Sequence, residues 1–242
     1  MKRAFDFTFA LAGLLALLPL LAAIALAVWM ADRRSPFFFG VRLARGGGQF
    51  RMVKFRTMWP DAWKTGVNST AAGDARVTPL GKRLRGAKLD ELPQLWNVFK
   101  GDMSLVGPRP QVPADAGLYT AEERRMLIAR PGITDLASVV FADEGEILAG
   151  SQNPDLLYNQ IIRPWKSRLA LLYVDRRSCS ADLRIVALTA LALVSRRRAL
   201  DGVRRMLEDW GAGELTLRMA NRREPLIAYP APGASEVVTR YP

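Results

Sequence analysis

The stretch Lys88-Leu89-Asp90-Glu91-Leu92-Pro93-Gln94-Leu95-Trp96-Asn97-Val98 sets two adjacent carboxylates inside an otherwise apolar run. Apolar residues recur at Leu89, Leu92, Leu95 or Trp96, and Phe99, the spacing of one helix face. Proline is tolerated only in the first turn of a helix, where its missing N–H has no partner to lose. Pro93 therefore places the helix start close to Asp90, and Gly101 marks its end. Acids at a helix N-terminus face unpaired N–H groups and the positive end of the dipole, which keeps a carboxylate ionised and also attracts phosphate. On this stretch alone, a capping Asp90 beside a solvated Glu91 is a sufficient explanation. The surroundings supply the case for chemistry.

Those surroundings are basic. Lys54 and Arg56 share one face of a strand expected over Phe50 to Met58, with Val53 and Phe55 on the other. Arg85 lies just ahead of the acidic pair, in a helix whose apolar face is Leu80, Leu84 and Ala87. After a short strand within Asp102 to Gly107 comes Pro108-Arg109-Pro110. The two prolines stiffen the backbone, so Arg109 loses little entropy on binding a phosphate. A solvated strand face and a surface turn are the alternatives for these cations. Asp143, Glu144 and Glu146 form an acidic cluster without the spacing of a calcium loop, which reads as a solvated face.

The 242 residues carry a formal net charge of +12, with 50% hydrophobic residues. Such a balance suits an anionic partner: lipid headgroups, nucleic acid or phosphorylated metabolites. One cysteine, Cys179, excludes an internal disulfide. The absence of histidine excludes histidine-based proton transfer and leaves carboxylates, cations, hydroxyls or a hard metal ion for any catalysis.

Apolar character is concentrated near the ends. Phe7 to Ala31 is an uncharged run of 25 residues, preceded by Lys2 and Arg3 and followed by Arg33 and Arg34. It is long enough to span a bilayer. Basic flanks on both sides, with Pro19 near the middle to kink the helix, favour a re-entrant segment with both ends in the cytoplasm; spanning remains open. Phe37, Phe38 and Phe39 suit either a membrane interface or a short core strand, and Gly46 to Gly48 a turn. Leu156 to Val174 reads as one helix. Leu183 to Val194 is apolar but too short to span, and Arg196, Arg197 and Arg198 follow it. It suits a helix lying in an anionic membrane surface or a buried core helix.

In this order the motifs resemble the bacterial sugar transferases, the monotopic phosphoglycosyl transferases. The resemblance rests on Lys54-Phe55-Arg56-Thr57-Met58; Arg76-Val77-Thr78 with Gly81, Leu84 and Arg85; Leu89-Asp90-Glu91-Leu92-Pro93-Gln94; Gly101-Asp102-Met103-Ser104-Leu105-Val106-Gly107-Pro108-Arg109-Pro110; and Arg130-Pro131-Gly132-Ile133-Thr134. It runs to about Arg198 and looks like the small form of the family.

The resemblance implies transfer of a phosphosugar from a UDP-sugar to polyprenyl (undecaprenyl) phosphate, with release of UMP. This is a first membrane step of polysaccharide or glycoconjugate synthesis, at the cytoplasmic face of the bacterial inner membrane. Asp90 matches the family's nucleophile, Glu91 the glutamate associated with Mg²⁺, and Arg109 an arginine associated with phosphate or nucleotide. Lys54, Arg56, Arg85 and Arg130, with Pro108 and Pro110, complete the expected substrate-binding set. The expected fold is α/β, mostly α with a small sheet: a re-entrant membrane helix about Pro19 at residues 1–34, a catalytic domain with membrane-surface helices at 35–199, and a partly disordered extension at 200–242. Anionic lipids are expected partners, nucleic acid is not, and a homodimer is left open. Three departures from the family pattern stand out: Leu18 rather than Ser before Pro19, no glutamine near Gly40, and Asp135 where the family usually has Gly. The competing class is a membrane-associated polyanion-binding protein without chemistry. It explains the charge, but not two acids inside a basic setting.

Overall fold

The N-terminal apolar run folds as one helix, α1 (Lys2–Asp32), in a computed structural model that describes residues 2–241 apart from the Trp63 side chain. Pro19 lies inside it, and the helix is not divided there into two short halves. The helix is apolar all round, yet one stripe is covered: Asp6, Ala10, Ile24 and Val28 are buried, and Gly13, Leu17 and Leu21 are half-buried between them. Steps of three and four residues keep this stripe on one face. Ala10 packs with Phe50, Met52, Val98 and Met103. Ile24 and Val28 pack with Phe55 and Leu84. The opposite face, with Leu15, Leu18, Leu26 and Met30, is exposed. Both ends of α1 are thus held by the same body: Lys2 pairs with Asp182, and Asp32 with Arg56. By length and composition α1 could cross a membrane.

Strands β1 (Phe37–Leu43) and β2 (Gln49–Phe55) form an antiparallel hairpin. Its turn uses Gly46 and Gly47 at positive φ, where a side chain would be strained. Phe37, Phe38 and Phe39 are in a strand but exposed. Next comes α2 (Pro79–Gly86), capped by Thr78, whose Oγ1 accepts from the Gly81 N–H at 2.9 Å. A Cβ at Gly81 would stand 2.0 Å from the Thr57 carbonyl oxygen, so only glycine lets α2 sit on the exit of β2.

The central helix, α3 (Gln94–Lys100), begins four residues later than Asp90. Leu89–Glu91 is a separate 3-10 turn entered through Lys88 at φ 57°. Gly101, at φ 97°, ends α3 as expected. The parallel pair β3 (Ser104–Val106) and β4 (Gly132–Thr134) flanks the Pro108–Pro110 loop, with the short α4 (Pro113–Ala116) between them in sequence.

The remainder is helical: α5 (Leu136–Val140), α6 (Glu144–Ile147), α7 (Pro154–Ile161), α8 (Arg163–Arg176), α9 (Cys179–Val194), α10 (Arg196–Asp209) and α11 (Glu214–Asn221). The single helix expected over Leu156 to Val174 is two, because Pro164 cannot continue α7 and instead starts α8. The main core gathers Leu136, Val140, Trp165, Leu169, Tyr173 and Ile185 with Leu200, Val203, Leu207 and Met219. The boundary expected at 199/200 therefore falls inside α10, and α10 and α11 belong to the same core. Residues 225–241 have no regular structure but are tied down: Tyr229 N–H to the Gln160 carbonyl at 3.1 Å, Gln160 Nε2 to the Val238 carbonyl at 2.9 Å, and the Tyr241 hydroxyl to Asp115 at 3.0 Å. On α9, Ala181, Asp182 and Ile185 face inward, while Leu183, Val186, Leu193 and Val194 are exposed. That is the disposition of a surface helix with an apolar outer face, not of a buried one.

Candidate active site

Asp90 and Glu91 are adjacent, yet their surroundings differ. Glu91 is clamped. Its Oε1 accepts from Lys54 Nζ at 2.7 Å and from Arg109 Nη2, and its Oε2 accepts from Arg109 Nη1 at 3.3 Å. Burial alone would raise its carboxyl, but the charges of Arg109 and Lys54 override this and hold it well below the ordinary value. Glu91 in turn raises Arg109. Burial lowers Lys54 despite the neighbouring Glu91 charge.

Asp90 is 6% exposed, and its carboxylate makes no hydrogen bond or ion pair among the described residues. Burial raises its carboxyl, and Glu91 adds to this, while Lys54, Arg85 and Arg109 pull the other way. Arg85 is oriented by its Nε–H, which donates to Thr57 Oγ1 at 2.8 Å. The result is one restrained carboxylate and one free carboxylate, both facing cations.

Local structure explains the convergence. Asn97, fully buried, binds the edge of β2 through its side chain: Oδ1 accepts from Val53 N–H at 2.9 Å, and Nδ2 donates to the Arg51 carbonyl at 2.8 Å. This pins α3 beside β2 and brings Lys54 to Glu91. The Pro-Arg-Pro loop is fixed by its backbone. The Pro108 carbonyl accepts from Gly132 N–H at 3.0 Å, and Arg109 N–H donates to Asp135 Oδ2 at 3.3 Å. Asp135 also caps α5, its Oδ1 accepting from the Ser138 N–H and hydroxyl at 2.6 Å each. The residue that departs from the family pattern thus holds the Arg109 turn. Behind Arg109 lies a cleft lined by Pro108, Pro110, Gln111, Tyr119 and Lys166.

Of the residues expected in the site, Asp90, Glu91, Lys54, Arg85, Pro108, Arg109 and Pro110 come together. Arg56 does not: β2 ends at Phe55, and the Arg56 guanidinium is bound by both oxygens of Asp32, at 2.6 and 2.7 Å, closing the end of α1 onto the hairpin. The Arg130 side chain is half-buried and unpaired among the described residues. The acidic cluster is not a solvated face. Asp143 pairs with Arg196 and Arg222, at 2.7 and 2.8 Å, and Glu144 pairs with Lys166. Asn97 and the Glu144–Lys166 pair went unread in the sequence, because no local spacing marks them, and Asp135 stood out only as a departure from the family pattern, not as the partner of Arg109.

Among the described residues no group of three or more side chains could by itself hold a metal ion. One or two carboxylates among cations nevertheless fit Mg²⁺, which takes few protein ligands and completes its shell with water and the oxygens of a bound anion. For Glu91 this means exchanging its bonds to Arg109 or Lys54 for the ion.

A profile of the family described as bacterial sugar transferase matches residues 1–196. The chain belongs to this family. Among curated relatives, an undecaprenyl-phosphate glucose phosphotransferase of Komagataeibacter xylinus is 36% identical over 205 residues, covering 82% of this chain and 36% of the relative. A UDP-glucose:undecaprenyl-phosphate glucose-1-phosphate transferase of Caulobacter vibrioides is 37% identical over 180 residues, 73% of this chain and 63% of its own. A putative undecaprenyl-phosphate N-acetylgalactosaminyl 1-phosphate transferase of Bacillus subtilis is 41% identical over 112 residues, 46% of this chain and 63% of its own. The chain thus matches between about a third and just under two thirds of the length of these relatives. The match ends at the start of α10, so family membership covers the site and both apolar helices but not the C-terminal packing.

Proposed function

We propose that this chain transfers a phosphosugar from a UDP-sugar to polyprenyl phosphate, releasing UMP, through a covalent intermediate on Asp90. The observation that carries the reading is the division of labour between neighbours. Glu91 is bound on both oxygens by cations, whereas Asp90 is buried, unpartnered and surrounded by Lys54, Arg85 and Arg109. A carboxylate without competing hydrogen bonds is available as a nucleophile. Its oxygen would form a bond to the phosphorus that bears the sugar, and the bond from that phosphorus to the bridging oxygen would break, releasing UMP. A phosphate oxygen of polyprenyl phosphate would then attack the same phosphorus and return Asp90 as a carboxylate. The three cations screen the charge that gathers on the transferring group. Mg²⁺, bound by Glu91 together with substrate phosphate oxygens, would supply further charge neutralisation.

A polyprenyl acceptor places the reaction at a membrane. The exposed faces of α1 and α9 would rest in the lipid, with Trp29 and Trp96, both partly exposed, at the interface. Arg197 and Arg198, exposed at the start of α10, would meet anionic headgroups. The cytoplasmic face of the bacterial inner membrane follows from where UDP-sugars are found. The relatives' names place them with glucose, N-acetylgalactosamine and exopolysaccharide production, and a polysaccharide pathway is the reading for this chain as well.

The test is UMP release from a panel of UDP-sugars with polyprenyl phosphate and Mg²⁺. One or more sugars should give turnover that Asp90→Asn abolishes. Binding to anionic vesicles with no UMP from any sugar would favour a polyanion-binding protein without chemistry.

A further inference from the structure

Three charged residues open α1, and each is tied to the elements that carry the site. Arg3 donates through Nη1 to the Val98 carbonyl at 2.5 Å and through Nη2 to the Phe99 carbonyl at 2.6 Å. These are carbonyls of the last turn of α3, of which Val98 also accepts from the Gly101 N–H at 3.1 Å, and a cation there suits the dipole. Asp6 is 1% exposed, and its Oδ1 accepts from the Leu105 N–H and the Ser104 hydroxyl, both at 3.1 Å, at the start of β3. Lys2 Nζ donates to the Val106 carbonyl at 3.1 Å, to the Tyr173 hydroxyl at 3.3 Å and to Asp182, which uses all three ammonium hydrogens. The Tyr173 hydroxyl donates in turn to Asp182 Oδ1 at 2.7 Å.

The segment from Glu91 to Arg109 is a folded-back unit: α3 runs out, the chain turns at Gly101, and β3 runs back. Its open end is the Glu91–Arg109 ion pair. Both arms of the unit, at Val98–Phe99 and at Ser104–Val106, are gripped by the first five residues of α1. Holding both arms against one helix end fixes the opening between them. We infer that Lys2, Arg3 and Asp6 are positioning residues that set the reach between Glu91 and Arg109, so that the apolar helix completes the site as well as anchoring it. This rests on the reading of Glu91 and Arg109 given under Proposed function.

A double-mutant cycle tests it on the full chain in membranes. Lys2→Met keeps the stem and removes the donors. Tyr173→Phe removes one hydroxyl from the same junction and leaves the packing, so it carries the test if Lys2→Met does not fold. Each is made with Arg109 intact and in Arg109→Ala, and kcat for UMP release is measured below the melting temperature, with membrane retention as a control. With Arg109 intact, Lys2→Met should lower kcat by about 10- to 100-fold, the scale of a small misplacement, and Tyr173→Phe should act in the same direction. In Arg109→Ala the same changes should cost less than about twofold, because the group they position is gone. Unchanged kcat in both variants, or equal losses in both backgrounds, would overturn the inference and leave the site reading intact. Full activity in Arg109→Ala would overturn the site reading, and this inference with it.

Discussion

Arg109→Ala should cost far more activity than Arg197→Ala, although both remove one arginine that is ion-paired in the folded chain. Arg109 holds both oxygens of Glu91, is fixed through its own N–H by Asp135, and stands beside the unpartnered Asp90. Removing a phosphate-binding cation from such a site costs about 2–4 kcal/mol, or roughly 30- to 1000-fold in rate. Stability also falls, because Glu91, 15% exposed, keeps only Lys54. Loss of a hydrogen bond to a charged group costs roughly 1–3 kcal/mol, so the comparison belongs well below the melting temperature. Arg197 is 44% exposed and pairs with Asp201 one turn along α10 at 3.0 Å. Such pairs contribute about 0.3–0.5 kcal/mol, and attraction to anionic lipid adds about 1 kcal/mol, about tenfold together. Arg109→Lys should recover little, because a point charge cannot replace the fork that spans both Glu91 oxygens. The assay is kcat/KM for UMP release at fixed lipid composition. Equal and small losses in Arg109→Ala and Arg197→Ala would refute the assignment of Arg109 to phosphate.

Three further outcomes are expected. On the proposed mechanism Asp90 attacks as the carboxylate, and burial raises its carboxyl, so the acid limb of kcat/KM should lie above the ordinary aspartate value of about 3.9. Arg85→Gln removes an opposite charge and should move this limb up, and a downward move would contradict the arrangement. Leu207→Ala should destabilise the chain by about 2–5 kcal/mol in chemical denaturation, since Leu207 is fully buried in the main core; a loss under about 1 kcal/mol would mean α10 is peripheral. Single cysteines placed near Met1 and at Ser35, in a Cys179→Ser background, should both resist an impermeant reagent outside intact spheroplasts, and labelling of only one would show that α1 spans the membrane.

Short-range chemistry was legible in the sequence. Pro93 and Gly101 bracketed the central helix, and the stiff Pro108-Arg109-Pro110 turn delivered Arg109 to the acidic pair. The helix start was misplaced because Pro93 fits α3 as its flanking residue, which frees Leu89–Glu91 to form a tighter turn and takes Asp90 off the helix terminus. Long-range partners were not legible. Lys2 and Arg3 look like the basic flank of a membrane segment, yet they reach residues about a hundred positions away or more. Arg56 looks like a second site cation beside Lys54 until Asp32 is folded against it. Composition also misjudged the C-terminal segment: Pro-Ala-Pro-Gly suggests disorder, but backbone and side-chain hydrogen bonds to Gln160 and Asp115 hold it.

The central claim is the covalent step on Asp90. The direct measurement is the intact mass of the chain after incubation with a turned-over UDP-sugar and Mg²⁺, without polyprenyl phosphate, under conditions that trap acyl phosphates. The account predicts one added sugar phosphate per chain, UMP released to at most one equivalent, loss of the adduct when polyprenyl phosphate is added, and neither adduct nor UMP in Asp90→Asn. An active enzyme that shows no adduct and releases no UMP until the acceptor is present would contradict it, and would assign the attack to polyprenyl phosphate itself.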